Sequence, residues 1–257
     1  MKLDLSNVTL VSIDDLRDDA TEYNIRYNIL TKVIEYACDY IDFYDIKLLT
    51  PLTDFEVKFQ SSSDYSKWII EKLPFLIKSK YYLIIQWDGF IINPMSWSTT
   101  WFEYDYIGGG VHLQNGGFSL RKTETMQKVS DIRILTQFSN GDINHLPWAN
   151  EDSYYSCFFK ETSENLHKWY SFREGFYEYL IENKLLFKTP FDANNIHSES
   201  DSNLFSTFHS YNKNSFGWHW SGELDMNVVI GFYLKTNKFS SLEIDKIYSY
   251  LNKRINR

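Results

Sequence analysis

Tyr81-Tyr82-Leu83-Ile84-Ile85-Gln86-Trp87-Asp88-Gly89-Phe90 decides how this chain folds. An apolar run without polar interruption reads as a central strand covered on both faces, the mark of a parallel sheet. The strand ends on Asp88. In open α/β sheets ligands bind beyond the carboxyl ends of the strands, so this acid is the first residue with functional weight.

Upstream, residues 7–14 form a β-branched run ending in Asp14, and read as a first buried strand. Asp15, Asp18 and Asp19 suit a loop and helix start. Ile25, Ile29, Leu30, Val33, Ile34 and Ala37 then recur at helical spacing, predicting a helix over 21–40. A strand over 45–50 stops at Pro51. Strand, helix, strand at this spacing opens a right-handed βαβ unit. Ser61-Ser62-Ser63 marks a break and a helix cap, and 65–77 reads as a helix that Pro74 kinks or splits.

Downstream, aromatics alternate with turn formers between Phe90 and Leu120, including Gly108-Gly109-Gly110 and Asn115-Gly116-Gly117. Helices are expected over 123–130, after Pro147–Asp152 in an aromatic-rich segment, over 169–184, and over 244–256. Residues 192–203 read as a loop and 204–211 as a strand, with Phe216-Gly217-Trp218-His219 just beyond. No repeat or linker divides the chain, so one α/β domain over 1–257 is expected.

The 257 residues are 43% hydrophobic, enough for a real core. Aromatics reach 18%; they fill cores, and also line sites for sugars and bases. Thirty-four acids against 26 basic residues leave a formal charge of −8, which disfavours nucleic-acid binding. Cys38 and Cys157, in segments that read as helical, form neither a disulfide framework nor a zinc pattern, and a cytoplasmic setting is the simplest account. No signal peptide or membrane-spanning run is evident, so the chain reads as soluble or at most peripherally associated with a membrane.

Several residues could carry chemistry. A carboxylate at the end of an apolar strand is costly to bury alone, and a divalent cation shared with a diphosphate is one partner for Asp88; a turn before Gly89 accounts for it equally well. The two glycine clusters permit close approach of the backbone to a ligand, or are tight turns. They match neither GxxxxGK[ST] nor a GxGxxG after a strand, so a kinase, GTPase or Rossmann dehydrogenase is disfavoured. Glu151 and Asp152 suit a helix N-terminus and could also supply a general base. His219 is a candidate metal ligand or a packed core histidine; His112, His145, His167, His197 and His209 lack ligand spacing. Arg121 and Lys122 could meet phosphate oxygens or simply open a helix.

The series Tyr81–Phe90 (YYLIIQWDGF), Tyr104–Gly109 (YDYIGG), Asn115–Arg121 (NGGFSLR), Asn150–Asp152 (NED) and Phe216–His219 (FGWH) resembles a family of uncharacterised glycosyltransferase-like domains, DUF5672. More remotely, it resembles the β-1,4-galactosyltransferases. The resemblance implies a GT-A-like, Rossmann-like α/β/α domain with a mostly parallel sheet. Its nucleotide-binding half would be about 1–90 and its donor-sugar and acceptor half about 91–257. It implies Asp88 and His219 as ligands of Mn²⁺ or Mg²⁺, with Gln86 and Trp87 beside Asp88 at the donor. Asn115, Gly116, Gly117 and Arg121 would line the donor sugar and diphosphate. Asp152, or Glu151, would be the base, and Ser12, Asp14 and Arg26 would lie near the nucleotide base. Trp87, Trp97 and Trp218 could stack on sugar rings.

The reaction implied is inverting transfer from a nucleotide-diphosphate sugar, a UDP-sugar foremost, to a hydroxyl of a saccharide or glycolipid in polysaccharide or surface-glycan assembly. The alternative is a non-catalytic carbohydrate or nucleotide-sugar binder that keeps the fold. A glycosidase working through Glu151 and Asp152 ranks last, because adjacent acids cannot flank a bond from both sides. Two departures stand out: Trp87-Asp88-Gly89 offers one acid where many GT-A enzymes have Asp-x-Asp, and Gly109-Gly110-Val111 replaces Ala-Pro-Trp.

Overall fold

The computed structural model describes residues 1–14, 20–53, 59–109, 115–137, 150–159, 175–190, 201–207, 214–219, 236 and 238–255. In chain order the elements are β1 (Leu3–Ile13), α1 (Ala20–Tyr40), β2 (Ile41–Leu49), α2 (Ser62–Glu71), α3 (Leu73–Leu76), β3 (Tyr81–Ile85) and β4 (Gly89–Ile91). Next come β5 (Tyr106–Gly109), β6 (Asn115–Lys122), α4 (Thr123–Val129), α5 (Arg133–Thr136) and α6 (Glu151–Ser156). Then follow α7 (Phe176–Glu182), α8 (Asp201–Phe205), β7 (Ser206–Thr207), β8 (Gly217–His219) and α9 (Ser241–Ile255).

The main sheet has the order β2-β1-β3-β6-β5. β1 lies parallel to both β2 and β3, whereas β6 runs antiparallel to β3 and to β5. Only β6 is reversed, so the carboxyl ends of β1 and β3 share an edge with the start of β6. The expected α/β/α layering with a mostly parallel sheet is what the chain shows.

β3 is buried along its whole length because its alternate side chains enter two different cores. Tyr82 and Ile84 join Val11, Ile13 and Tyr106 beneath α2, α4, α6 and α7. Tyr81, Leu83 and Ile85 join Val8, Leu10, Ile107 and Leu120 beneath α1 and α9. In β1, Leu5 shares the second core with Val8 and Leu10 despite its opposite parity. Between Leu5 and Thr9 the pairing of β1 with β2 shifts by two residues, an irregularity that lies where the parity changes.

Helix boundaries follow local chemistry. The Ser61 side chain accepts from the Asp64 amide at the start of α2, and Pro74 opens the separate turn α3. α9 begins earlier than expected, because Ser240 and Glu243 form a reciprocal capping box, Glu243 N–H to Ser240 Oγ and Ser240 N–H to Glu243 Oε2.

Other boundaries also differ. β1 and β2 start at Leu3 and Ile41 rather than at 7 and 45, since parallel pairing of Leu3 with Ile41 and Leu5 with Phe43 carries both strands past their polar residues. Residues 201–203, expected as loop, and Leu204 and Phe205, expected as strand, lie in α8; Ser206–Thr207 are strand among the described residues. Cys157 sits in the turn after α6, and both cysteines are free. Asp15, Asp18, Asp19, Gly110, Pro147, Trp148, His112, His145, His167, His197 and His209 lie outside the described residues, as do 169–174, 192–200, 208–211 and 256 of the expected elements. Among the described residues no helix is long and apolar enough to cross a membrane.

Candidate functional site

The turn that carries Asp88 is closed by Gln86 and Gly89, whose backbones exchange hydrogen bonds of 2.7 and 3.1 Å. Gly89 then enters β4, which pairs antiparallel with β8 and sets Gly89 opposite His219. That pairing delivers the imidazole: Nε2 of His219 stands 3.9 Å from Oδ1 of Asp88 and 3.5 Å from Oε1 of Gln86. A methyl group on Gly89 would lie 2.4 Å from Cδ2 of His219, so the turn tolerates no side chain there.

The Asn115-Gly116-Gly117 segment completes this corner. Gly108 pairs with Ser119, but Gly109 pairs with Asn115, so residues 116–118 bulge out of the ladder. Asn115 folds the bulge back by accepting the Gly117 amide at 2.7 Å on its Oδ1. A methyl group on Gly117 would lie 2.3 Å from Nε2 of His219 and 2.4 Å from Oε1 of Gln86. The missing side chain is what lets both groups converge. Asp88, Gln86, Gly117 and His219 therefore lie together, residues that the family resemblance had grouped at the donor.

Oδ1 of Asp88 is buried and makes no hydrogen bond among the described residues. An anionic oxygen in that condition is costly unless a cation joins it. A carboxylate and an imidazole converging beside a glycine cradle fit a divalent ion. No group of three His, Cys, Asp or Glu side chains is found among the described residues, so these two would share the ion with other donors.

Behind the bulge lies a buried ionic network. Arg121 has no exposed surface; its Nε donates to Ser119 Oγ at 2.9 Å and its Nη2 to Gly116 O at 3.1 Å. The guanidinium lies 5.1 and 5.0 Å from the ring centroids of Tyr106 and Tyr155, and 3.4 Å from Oε1 of Glu151. Arg121 thus holds the glycine bulge from inside, where its motif had suggested a contact with phosphate. Strand alternation explains this: Ser119 and Arg121 point to the face that Tyr82 and Tyr106 occupy.

The acids of α6 part ways. Glu151 is buried against Gly116, where a methyl group would meet its Oε1 at 2.4 Å. Burial pushes its carboxyl above the ordinary 4.5 despite the Arg121 cation, with the Asp152 charge adding to the rise. Asp152 is half-buried and caps its own helix, accepting from Ser153 N–H at 2.8 Å. Of the expected pair, Asp152 is the one partly exposed, and Glu151 is packed into the scaffold.

The remaining expectations fare unevenly. Asp14 binds Arg26 through a buried 2.6 Å ion pair, and Ser12 faces the interior. All three lie at the β1 end of the shared edge, and the acid and the guanidinium are paired with each other. Trp87 and Trp218 are core residues, 8% and 3% exposed, packed edge-on against Tyr250 and Phe90. Trp97, partly buried, packs on Trp101, Phe102 and Phe216. All three expected sugar platforms contribute packing to the second core. Gly109 packs on Ser206, whose Oγ a methyl group would meet at 3.1 Å, so it serves a strand contact.

Tyr65 was not singled out by the sequence reading, yet its hydroxyl accepts from Gln86 Nε2 at 3.1 Å and belongs to this corner. Its place four residues past the Ser61 cap, on the face α2 turns to the core, was the available signal.

Comparison with known proteins agrees with the motif series. Residues 51–170 match the model of the family described as "Protein of unknown function (DUF5672)". The segment holds the first four blocks of the series; Phe216–His219 lies beyond it. Among curated proteins none matches. A solved structure described as "Crystal structure of a glycosyltransferase involved in the glycosylation of the major capsid of PBCV-1" is similar at 13% identity and a TM-score of 0.46, covering 88% of this chain and 98% of that one.

Proposed function

We propose that this chain is a GT-A-like glycosyltransferase that moves a hexose from a nucleotide-diphosphate sugar, a UDP-sugar foremost, to a hydroxyl of a saccharide or glycolipid acceptor. The observation that carries the reading is the convergence of the Asp88 carboxylate and the His219 imidazole over the Gly117 cradle at the sheet edge. Asp88 and His219 would hold Mn²⁺ or Mg²⁺, which as a Lewis acid stabilises charge growing on a leaving diphosphate.

Asp152 is the group that removes the acceptor proton. As the acceptor oxygen forms its bond to the anomeric carbon, the bond from that carbon to the diphosphate oxygen breaks, and the electron pair leaves with the diphosphate. The proton ends on the Asp152 carboxylate. One displacement of this kind inverts the anomeric centre, and product NMR reads the outcome. Glu151 and Arg121 tie the glycine bulge to the first turn of α6, the turn that carries Asp152.

Melting curves against a panel of nucleotide sugars, with and without Mn²⁺, test the reading. A donor at a hundred times its Kd adds about 2.7 kcal/mol, roughly a 5–10 °C rise for a chain of this size. The rise should depend on Mn²⁺ and vanish in Asp88→Ala. An unchanged rise in Asp88→Ala would remove the site, and binding without turnover over a broad acceptor set would favour a non-catalytic nucleotide-sugar binder.

A further inference from the structure

We infer that Gln86 is a third protein donor to the divalent cation, through its side-chain carbonyl oxygen; this rests on the metal-assisted reading above. Five observations lead there. The turn offers a single acid, and no third acidic, histidine or cysteine side chain joins Asp88 and His219 among the described residues. Oε1 of Gln86 lies 3.5 Å from Nε2 of His219, while the same nitrogen lies 3.9 Å from Oδ1 of Asp88. Oxygen donors stand roughly 2.0–2.6 Å from Mg²⁺ or Ca²⁺, so neighbouring donors on such an ion are roughly 3–4 Å apart. The spacing is that of ligands around one ion.

The amide is also oriented for the task. Gln86 Nε2 donates to the Tyr65 hydroxyl at 3.1 Å, which leaves the carbonyl end turned to His219. The backbone of Gln86 closes the turn that carries Asp88, so donor and acid are fixed to one another through Gly89. Finally, Gly117 leaves both Oε1 and the imidazole nitrogen the room they share. Amide carbonyls are ordinary ligands for hard cations.

The donor set has a chemical consequence. One carboxylate, one neutral carbonyl and one imidazole leave a divalent ion with a net positive charge. An anionic diphosphate completes both its coordination and its charge balance, so Mn²⁺ binds the free protein weakly and the nucleotide-loaded protein tightly.

Electron paramagnetic resonance titration of Mn²⁺, with and without UDP, tests this on the full chain, with melting temperature as the check on folding. Wild type should bind Mn²⁺ more tightly with UDP present. Gln86→Ala should weaken that binding about tenfold or more, and Gln86→Glu, which keeps an oxygen donor, should retain or tighten it. The imidazole nitrogen coupling of His219 should persist in Gln86→Glu. Equal Mn²⁺ affinity in Gln86→Ala and wild type overturns the inference and leaves the glycosyl-transfer reading standing. So does an equal loss in both variants at wild-type melting temperature, since that marks Gln86 as structural. If Gln86→Ala does not fold, Gln86→Glu decides. A wild type that binds no Mn²⁺ even with UDP overturns the inference and the metal part of the reading, while turnover in EDTA would keep glycosyl transfer.

Discussion

Gly117 leaves no volume for a side chain: a methyl group there would stand closer to His219 and Gln86 than any van der Waals contact allows. Gly117→Ala must therefore displace one of two polar groups that converge on Asp88. The expected stability cost is that of overpacking, about 1–3 kcal/mol by urea denaturation. Nucleotide affinity should fall by about tenfold or more if, as proposed, the displaced groups hold the cation that binds the nucleotide. A variant as unstable as this but with unchanged affinity for UDP and Mn²⁺ would separate Gly117 from the site. The neighbouring Gly116 illustrates how one dipeptide divides: its missing side chain makes room for Glu151 and Arg121 instead. The sequence marks both glycines as places of close approach. Which group approaches each is a matter of strand parity and of the bulge.

Between β6 and α6 the decisive contact is the buried pair of Arg121 and Glu151, 0% and 8% exposed at their side chains. Removing one partner of such a pair strands the other charge, so Glu151→Ala should cost about 3–5 kcal/mol, whereas the loss of an exposed acid costs far less. The pH dependence has a defined sign. The Glu151 carboxyl is raised above 4.5 in the folded chain, chiefly by burial, so the folded state binds its proton more readily than the unfolded state does. Its contribution to stability is complete below about pH 4.5 and is lost as pH rises through the folded value. Relative to Glu151→Gln, which does not titrate, wild type should lose stability on going from acid to neutral pH; the opposite slope would show that the Arg121 charge dominates. As adjacent acids at a helix start, Glu151 and Asp152 are equivalent by sequence pattern. Only the packing of α6 on β6 tells the scaffold residue from the candidate base.

Across the molecule, the last helix bears on the site at the opposite end of the chain. Tyr250 of α9 packs edge-on against Trp87, ring centroids 5.7 Å apart, beside the turn that carries Asp88. Tyr250→Ala should cost about 3–5 kcal/mol, the range for emptying a large aromatic site. It should also shift the emission of the tryptophans and lower nucleotide affinity, since Trp87 supports the turn. Affinity unchanged at that cost in stability would show that the helix only covers the core. The elements whose pattern is local were legible in the sequence: β3 as a wholly apolar strand, α1 from its helical spacing, the Ser61 cap and the break at Pro74. The Ser240–Glu243 box was written there too, although apolar spacing alone began α9 late. Strand ends and the interior destinations of Arg121, Trp87 and Trp218 were not legible, because each depends on which neighbour covers a face. The sequence by itself determined a covered α/β sheet with an acid at its carboxyl edge, since periodicity and turn chemistry act between near neighbours. Only the tertiary structure decided that His219, 133 positions beyond Gln86, returns through β8 to that acid, because pairing between distant strands is set by the packing of the whole.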